Sequence, residues 1–370
     1  MTRRAPSTVL VTKERLRRLP KTDLHVHLDG SVRPRTLIEL AREQGVELPA
    51  WEPADLADYL HVTDARDLVD YLSRFDITLS VMQRADALER IAYELAEDAA
   101  GENVRYLEVR FSPVLNTVNG LTLEEAVAAP LRGLRRAEHD FGIRAGIIIC
   151  GIRNMSPHTS MDLADLTITF KHRGVVAFDL AGAEYNNPAK MHREAFYRVG
   201  NANIAATIHA GEAYGPESIH QALHYCNANR IGHGTRLFED PDLMQYVNDF
   251  RIPLEICLTS NVQTRAVAGF EDHPVRLYYD QGLVVTLNTD NRLMSGTTVT
   301  EEYWRAHSHL GFTWEELCRI ALYGFESAFL PHHEKVALLE AVTEEIRELT
   351  RRGEREDEGE GASRLEAARG

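Results

Sequence analysis

Six side chains suited to hydrolytic metal chemistry stand where apolar runs of this 370-residue chain break off. His25 and His27 lie in "DLHVHL", His209 and Glu212 in "HAGE", His233 in "IGHG" and Asp290 in "LNTD". Residues two apart on an extended strand share a face, so both imidazoles of His-Val-His can reach one ion. Three imidazoles and a carboxylate form a donor set suited to zinc, with a position left for water, and iron, cobalt or manganese accept the same set. Such an ion lowers the pKa of its bound water to about 7, which supplies hydroxide at neutral pH. Each motif also has a plain structural reading: two hydrogen-bonded histidines, a helix-capping turn at Glu212, a tight turn at His233 and a cap at Asp290. Recurrence at the ends of four different runs favours one shared site, because unrelated caps have no reason to converge.

The elements that must hold these residues follow from the apolar runs. Eight short runs end in polar or glycine residues: "DLHVHL" from Asp23, "VRYLEVRF" from Val104, "RAGIIICG" from Arg144, "VVAFDLAG" from Val175, "IAATIHAG" from Ile204, "RIGHG" from Arg230, "PLEICLT" from Pro253 and "LVVTLNTD" from Leu283. Helical spacing fills most gaps, as in residues 85–100 and 122–140. That alternation predicts an α/β fold, a TIM-type (β/α)8 barrel whose chemistry collects at the C-terminal ends of the strands. The long gap after the first strand, roughly 29–103, predicts extra helices over the mouth, around 34–45, 65–80 and 85–100. A single domain over 1–350 is expected, with 332–352 as a closing helix and 351–370 as a disordered acidic tail.

Composition narrows the function classes. The net charge of −15 argues against non-specific nucleic-acid binding and against a basic membrane-binding face. No run approaches the roughly 20 apolar residues of a membrane span, and the N-terminal apolar run, Val9 to Val11, is far short of a signal-peptide core. The four cysteines form no CxxC pair, so neither a disulfide framework nor a thiolate zinc site is expected, and a reducing cytoplasm is the default. The fourth strand contains no lysine to bridge two ions, which favours a mononuclear site. Oligomeric state is not specified by these features.

As a set, "HVHLDG" (25–30), "FDLAGAE" (178–184), "HAGE" (209–212), "IGHG" (231–234) and "LNTD" (287–290) resemble the adenosine deaminase family of the amidohydrolase superfamily. The likeness extends through "DLVDYLSRFD" (67–76), "RIAYELAED" and "VRYLEVRFSP" and spans about Leu19 to residue 345. It implies one zinc ion held by His25, His27, His209 and Asp290. It also implies that Glu212 protonates the purine ring nitrogen beside the reacting carbon, that His233 orients the attacking hydroxide, and that Asp290 helps to take its proton. Substrate contacts carried over in the same way are Gly182, whose backbone NH meets a ring nitrogen; Asp29, on the ribose hydroxyl end; and an apolar gate of Leu68, Tyr71, Leu72 and Phe75. Without the resemblance, that stripe reads as ordinary core packing.

One position departs from the family. Members commonly have a second aspartate after the metal ligand, and here it is Asn291. An aspartate must be protonated to donate to a ring nitrogen, whereas a carboxamide donates from its NH2 group without a pKa shift. The expected activity is hydrolytic deamination of adenosine and 2'-deoxyadenosine. The alternatives are a deaminase of another aminopurine, such as adenine, aminodeoxyfutalosine or an N6-modified adenosine, and a non-catalytic nucleoside-binding protein.

Overall fold

Eight strands run parallel and pair strictly in chain order, as the alternating pattern requires. They are β1 (Lys21–His27), β2 (Val104–Phe111), β3 (Arg144–Ile152), β4 (Val175–Ala181), β5 (Ala205–Ala210), β6 (Arg230–His233), β7 (Leu254–Ile256) and β8 (Val285–Leu287). The sheet closes where β1 meets the chain just past β8: His27 N donates to Asp290 O at 2.7 Å and Asp290 N to His25 O at 2.8 Å. The computed structural model describes residues 9–61 and 74–367.

Helices cover the sheet because their apolar residues recur on one side. In the helix Ala85–Ala100, Ala87, Leu88, Ile91, Ala92, Leu95, Ala96 and Ala99 are buried. It packs against the helix Leu123–Phe141, whose start is fixed by a capping box between Thr122 and Glu125. Gly133 makes that approach possible, since a Cβ there would lie 2.1 Å from Glu89 O. The gap after β1 holds helices Pro34–Gln44, Pro53–Leu60 and Phe75–Val81. Leu68, Tyr71 and Leu72, expected in the gate, lie outside the described residues.

The last helix, His332–Ala367, runs through the segment expected to be a disordered tail. Two physical features support it. Side chains pair along its length, as with Arg352 Nε on Glu348 Oε1 at 3.0 Å. Arg15 also reaches across from the N-terminal segment to Glu356 at 2.9 Å and Asp357 at 2.8 Å. Among the described residues, no helix is long and apolar enough to cross a membrane. All four cysteines are free and buried.

Beneath the mouth, the barrel interior is charged rather than apolar. Glu255 from β7 accepts from Arg110 Nη2 at 2.8 Å, Arg230 Nε at 2.6 Å and Thr207 Oγ1 at 2.8 Å. Arg110 also donates to Asp179 at 3.1 Å, and Arg230 pairs with Glu108. Buried charges persist only when each is matched in this way.

Candidate active site

Strand parity puts His25 and His27 on the inner face of β1, and barrel closure carries Asp290 to them. Asp290 Oδ1 lies 3.4 Å from His25 Nε2 and 3.3 Å from His27 Nε2. From the end of β5, His209 Nε2 comes within 3.1 Å of His27 Nε2. The candidate ligand atoms of His25, His27, His209 and Asp290 all lie within 4.8 Å of one another.

The surrounding groups orient these atoms toward a common point. Glu255 Oε2 is 2.9 Å from His25 Nδ1, and Asp179 Oδ2 is 3.0 Å from His209 Nδ1. Burial and the nearby Arg110 push His25 down to about 4, so its ring is neutral. Despite burial, Arg110 and Arg230 hold Glu255 well below the usual carboxylate range. His25 Nδ1–H therefore donates to Glu255, which leaves the Nε2 lone pair facing the cluster. That Nε2 is buried and has no hydrogen-bond partner. Such an orphaned acceptor among three other donors fits a cation, and carboxylate-backed imidazoles are the usual outer support of a metal site. Ser260 Oγ donates to Asp290 Oδ2 at 2.6 Å and leaves Oδ1 to the cluster.

Glu212 and His233 sit beside it. His233 Nε2 is 3.6 Å from Glu212 Oε2, and the His25 and His233 ring centroids are 4.8 Å apart. Burial raises the Glu212 pKa above the ordinary carboxylate value, so its acid form is favoured. His233 and Asp290 both adopt left-handed backbone, with φ of 63° and 58°. Non-glycine residues rarely do so, and the strain turns both side chains inward at strand ends.

A cavity of about 240 Å³ opens onto this group. Its wall includes His27, His209, Glu212, His233 and Asp290, together with Asp29, Gly182, Phe75 and Asn291. His25 lies behind that wall, fully buried. Asp29 Oδ1 is buried without a partner, and burial raises its carboxyl to about 6. Gly182, with φ of 93°, brings bare backbone to the wall; a Cβ would sit 3.2 Å from Asn154 Oδ1. Asn291 is buried, and its Oδ1 is unpartnered and packed against Gly30.

Sequence reasoning passed over several residues now seen here. Leu79, Leu115, Ile152, Asp76 and Asn154 also line the cavity. Leu79 stands four residues after Phe75 on one helix, a spacing that could have extended the apolar stripe. Glu255 is the single charge of β7, and Arg110 is one of three charges in β2 with Arg105 and Glu108; buried charges on barrel strands signal interior pairs. Asn261, Thr264 and His273, which surround Glu212 and His233, had no such signal.

Comparison with known proteins bears on the whole chain. A family described as adenosine deaminase matches residues 20–345. A probable adenosine deaminase of Dictyostelium discoideum is 43% identical over 86% of this chain, which spans only 42% of that protein's length. An adenosine deaminase of Mycobacterium sp. (strain JLS) is 41% identical over 90% of this chain and 97% of its own. Among solved structures, an adenine deaminase from Arthrobacter aurescens superposes with a TM-score of 0.83 at 29% identity, covering 89% of this chain and 99% of that one. A zinc-bound amidohydrolase from Burkholderia ambifaria gives 0.84 at 27% identity, covering 94% and 97%. With 326 residues matched by the family and relatives above 40% identity over most of its length, the chain belongs to the adenosine deaminase family.

Proposed function

We propose that this protein hydrolyses adenosine and 2'-deoxyadenosine to inosine and 2'-deoxyinosine with release of ammonia, using one zinc ion held by His25, His27, His209 and Asp290. The reading is carried by the meeting of these four residues at one cavity with a buried Glu212 whose pKa burial raises above the ordinary carboxylate value. When bound, zinc supplies hydroxide at neutral pH.

The chain's own residues do the rest. Glu212 donates a proton to the purine nitrogen beside the reacting carbon, drawing electron density from that carbon. His233 directs the incoming oxygen, and Asp290 accepts its proton. The Gly182 backbone NH and the Asn291 carboxamide donate to the remaining ring nitrogens. Asp29 takes the ribose hydroxyl. Phe75, Leu79, Leu115 and Ile152 supply apolar surface that excludes water from the ring.

A second reading, deamination of free adenine, is favoured by the likeness to an adenine deaminase and by Asn291 at a position facing the purine. Asp29 separates the two, because its Oδ1, which lacks a hydrogen-bond partner, would be met by the ribose hydroxyl that adenine does not have. The test follows the adenosine absorbance band as inosine forms, on zinc-loaded protein, beside an adenine assay and Glu212→Gln. Rapid loss on adenosine, abolished in the variant, supports the proposal. Turnover of adenine alone overturns the substrate assignment.

A further inference from the structure

Two residues outside the candidate metal ligands, Asn261 on the helix Leu258–Gln263 and His273 in the loop before the helix Val275–Asp280, form a buried hydrogen-bond chain that ends on both His233 and Glu212. Val275 N donates to His273 Nδ1 at 3.1 Å. A backbone NH has only one role, so His273 Nδ1 is the acceptor. Burial pushes His273 down to about 3, and the neutral ring therefore carries its single proton on Nε2.

That Nε2 lies 3.2 Å from Asn261 Oδ1, which fixes the orientation of the carboxamide. Its amino group then faces His233 Nδ1 at 3.1 Å and Glu212 Oε1 at 3.4 Å. Thr264 Oγ1 donates to the same Glu212 oxygen at 2.8 Å. All five side chains are buried, so water cannot substitute for a mismatched partner.

We infer that Asn261, locked by His273, sets the proton positions of the two catalytic groups: Nε2–H on His233 and Oε2 as the protonated oxygen of Glu212. Oε1 already accepts two hydrogen bonds, so the acid proton belongs on Oε2. His233 Nε2 and Glu212 Oε2 are 3.6 Å apart, beyond an ordinary hydrogen bond, a spacing that leaves both free to donate into the same cavity.

This assigns work within the reaction. With Nε2 protonated, His233 donates to the incoming oxygen and cannot remove its proton, which leaves Asp290 as the acceptor. For His233 to act as a base its proton would move to Nδ1, against the Asn261 amino group. Flipping Asn261 would set that amino group against His273 Nε2–H, and His273 cannot move its own proton because Val275 N–H occupies Nδ1. Asn261 is thus a positioning residue. The inference rests on the deaminase reading only where it concerns turnover.

The test is nitrogen NMR of protein labelled with 15N-histidine, with His233 assigned by its absence in His233→Asn and zinc content measured in parallel. The parent should show a protonated Nε2 and an unprotonated Nδ1 on His233, with and without zinc. In Asn261→Asp the carboxylate can only accept, so Nδ1 should gain the proton, while kcat falls about tenfold or more with KM little changed. A parent ring protonated on Nδ1 alone overturns the inference, as does an Asn261→Asp protein whose His233 keeps its proton on Nε2 only. The parent spectrum decides the first point even if the variant does not fold. A parent with Nε2–H that turns over no purine upholds the inference and overturns the deaminase reading.

Discussion

The carboxylate of Glu184 accepts four consecutive backbone amides from the loop that carries Glu212. The donors are Gly211 at 2.6 Å, Glu212 itself at 3.1 Å, Ala213 at 2.6 Å and Tyr214 at 2.9 Å. From the other side, the Arg153 guanidinium donates to the carbonyl of His209. The segment joining a zinc-ligand candidate to the proposed acid is thus clamped at both ends. Glu184→Gln exchanges one acceptor oxygen for a donor and leaves at least one buried amide unpaired. The expected cost is about 1–3 kcal/mol of stability, with kcat reduced more than KM. Denaturant unfolding and steady-state assays at equal zinc content would show it; unchanged stability would refute the clamp.

Glu212 should be a liability for the fold that is retained for chemistry. Its pKa is raised by burial, so between the unfolded carboxylate value near 4.5 and the raised folded value the native state binds more protons than the unfolded chain. Stability therefore falls as pH rises through that window. Glu212→Gln removes the slope and should raise the melting temperature at pH 8 more than at pH 5, while abolishing turnover. Melting curves at the two pH values check the sign.

Gly30 exists to make room for Asn291. A Cβ at residue 30 would lie 1.9 Å from Asn291 Oδ1 and 2.6 Å from its Cγ. Gly30→Ala should displace the carboxamide and match the loss expected of Asn291→Ala, on the order of 1 kcal/mol or more in kcat/KM. The double variant should then be no worse than the more impaired single one. Additive losses would show that the two residues act separately.

Zinc should stabilise the fold with the logarithm of its excess over the dissociation constant. At a thousandfold excess the gain is about 4 kcal/mol. Chelation should accordingly lower the melting temperature of the parent, and His25→Ala should erase most of that difference. A melting temperature indifferent to chelation in the parent would argue against a metal at these four residues.

Phosphorylated substrates should be rejected. Among the described cavity residues there is no lysine or arginine, while Asp29, Asp76, Glu212 and Asp290 bring four carboxyl groups. Among these described residues a 5'-phosphate would find no cationic side chain. Turnover of AMP is expected to be on the order of a hundredfold or more below that of adenosine in kcat/KM. Equal efficiency would place an unrecognised anion partner at the mouth.

The candidate metal-binding residues were legible because strand parity and strand ends are local properties. His25 and His27 share a face by counting, and Asp290 follows an apolar run that could only be β8. The hydrogen-bonded support was not legible, because it depends on distant elements meeting. Asn261 and His273 stand 28 and 40 residues from His233, and nothing in "LTSNVQ" or "FEDHP" betrays a shared partner. Glu255 and Arg110 were readable only as charges within apolar strands; their pairing needed the closed barrel. The C-terminal segment misled in the opposite sense. Its composition resembles a solvated tail, yet its own Arg and Glu spacing and the reach of Arg15 to Asp357 support the first turns of that segment as helix.

That helix also decides which side of the molecule is free. Glu345 accepts from Asn103 and Arg105, at the entry to β2, and Glu334 accepts from Arg144, at the entry to β3. Arg15, just before β1, holds its far turns. Both ends of the described chain therefore gather beneath the barrel, opposite the mouth. A protein tethered to a bead or an electrode through either end would present its open face to the surrounding solution, so immobilisation there should leave substrate entry unobstructed.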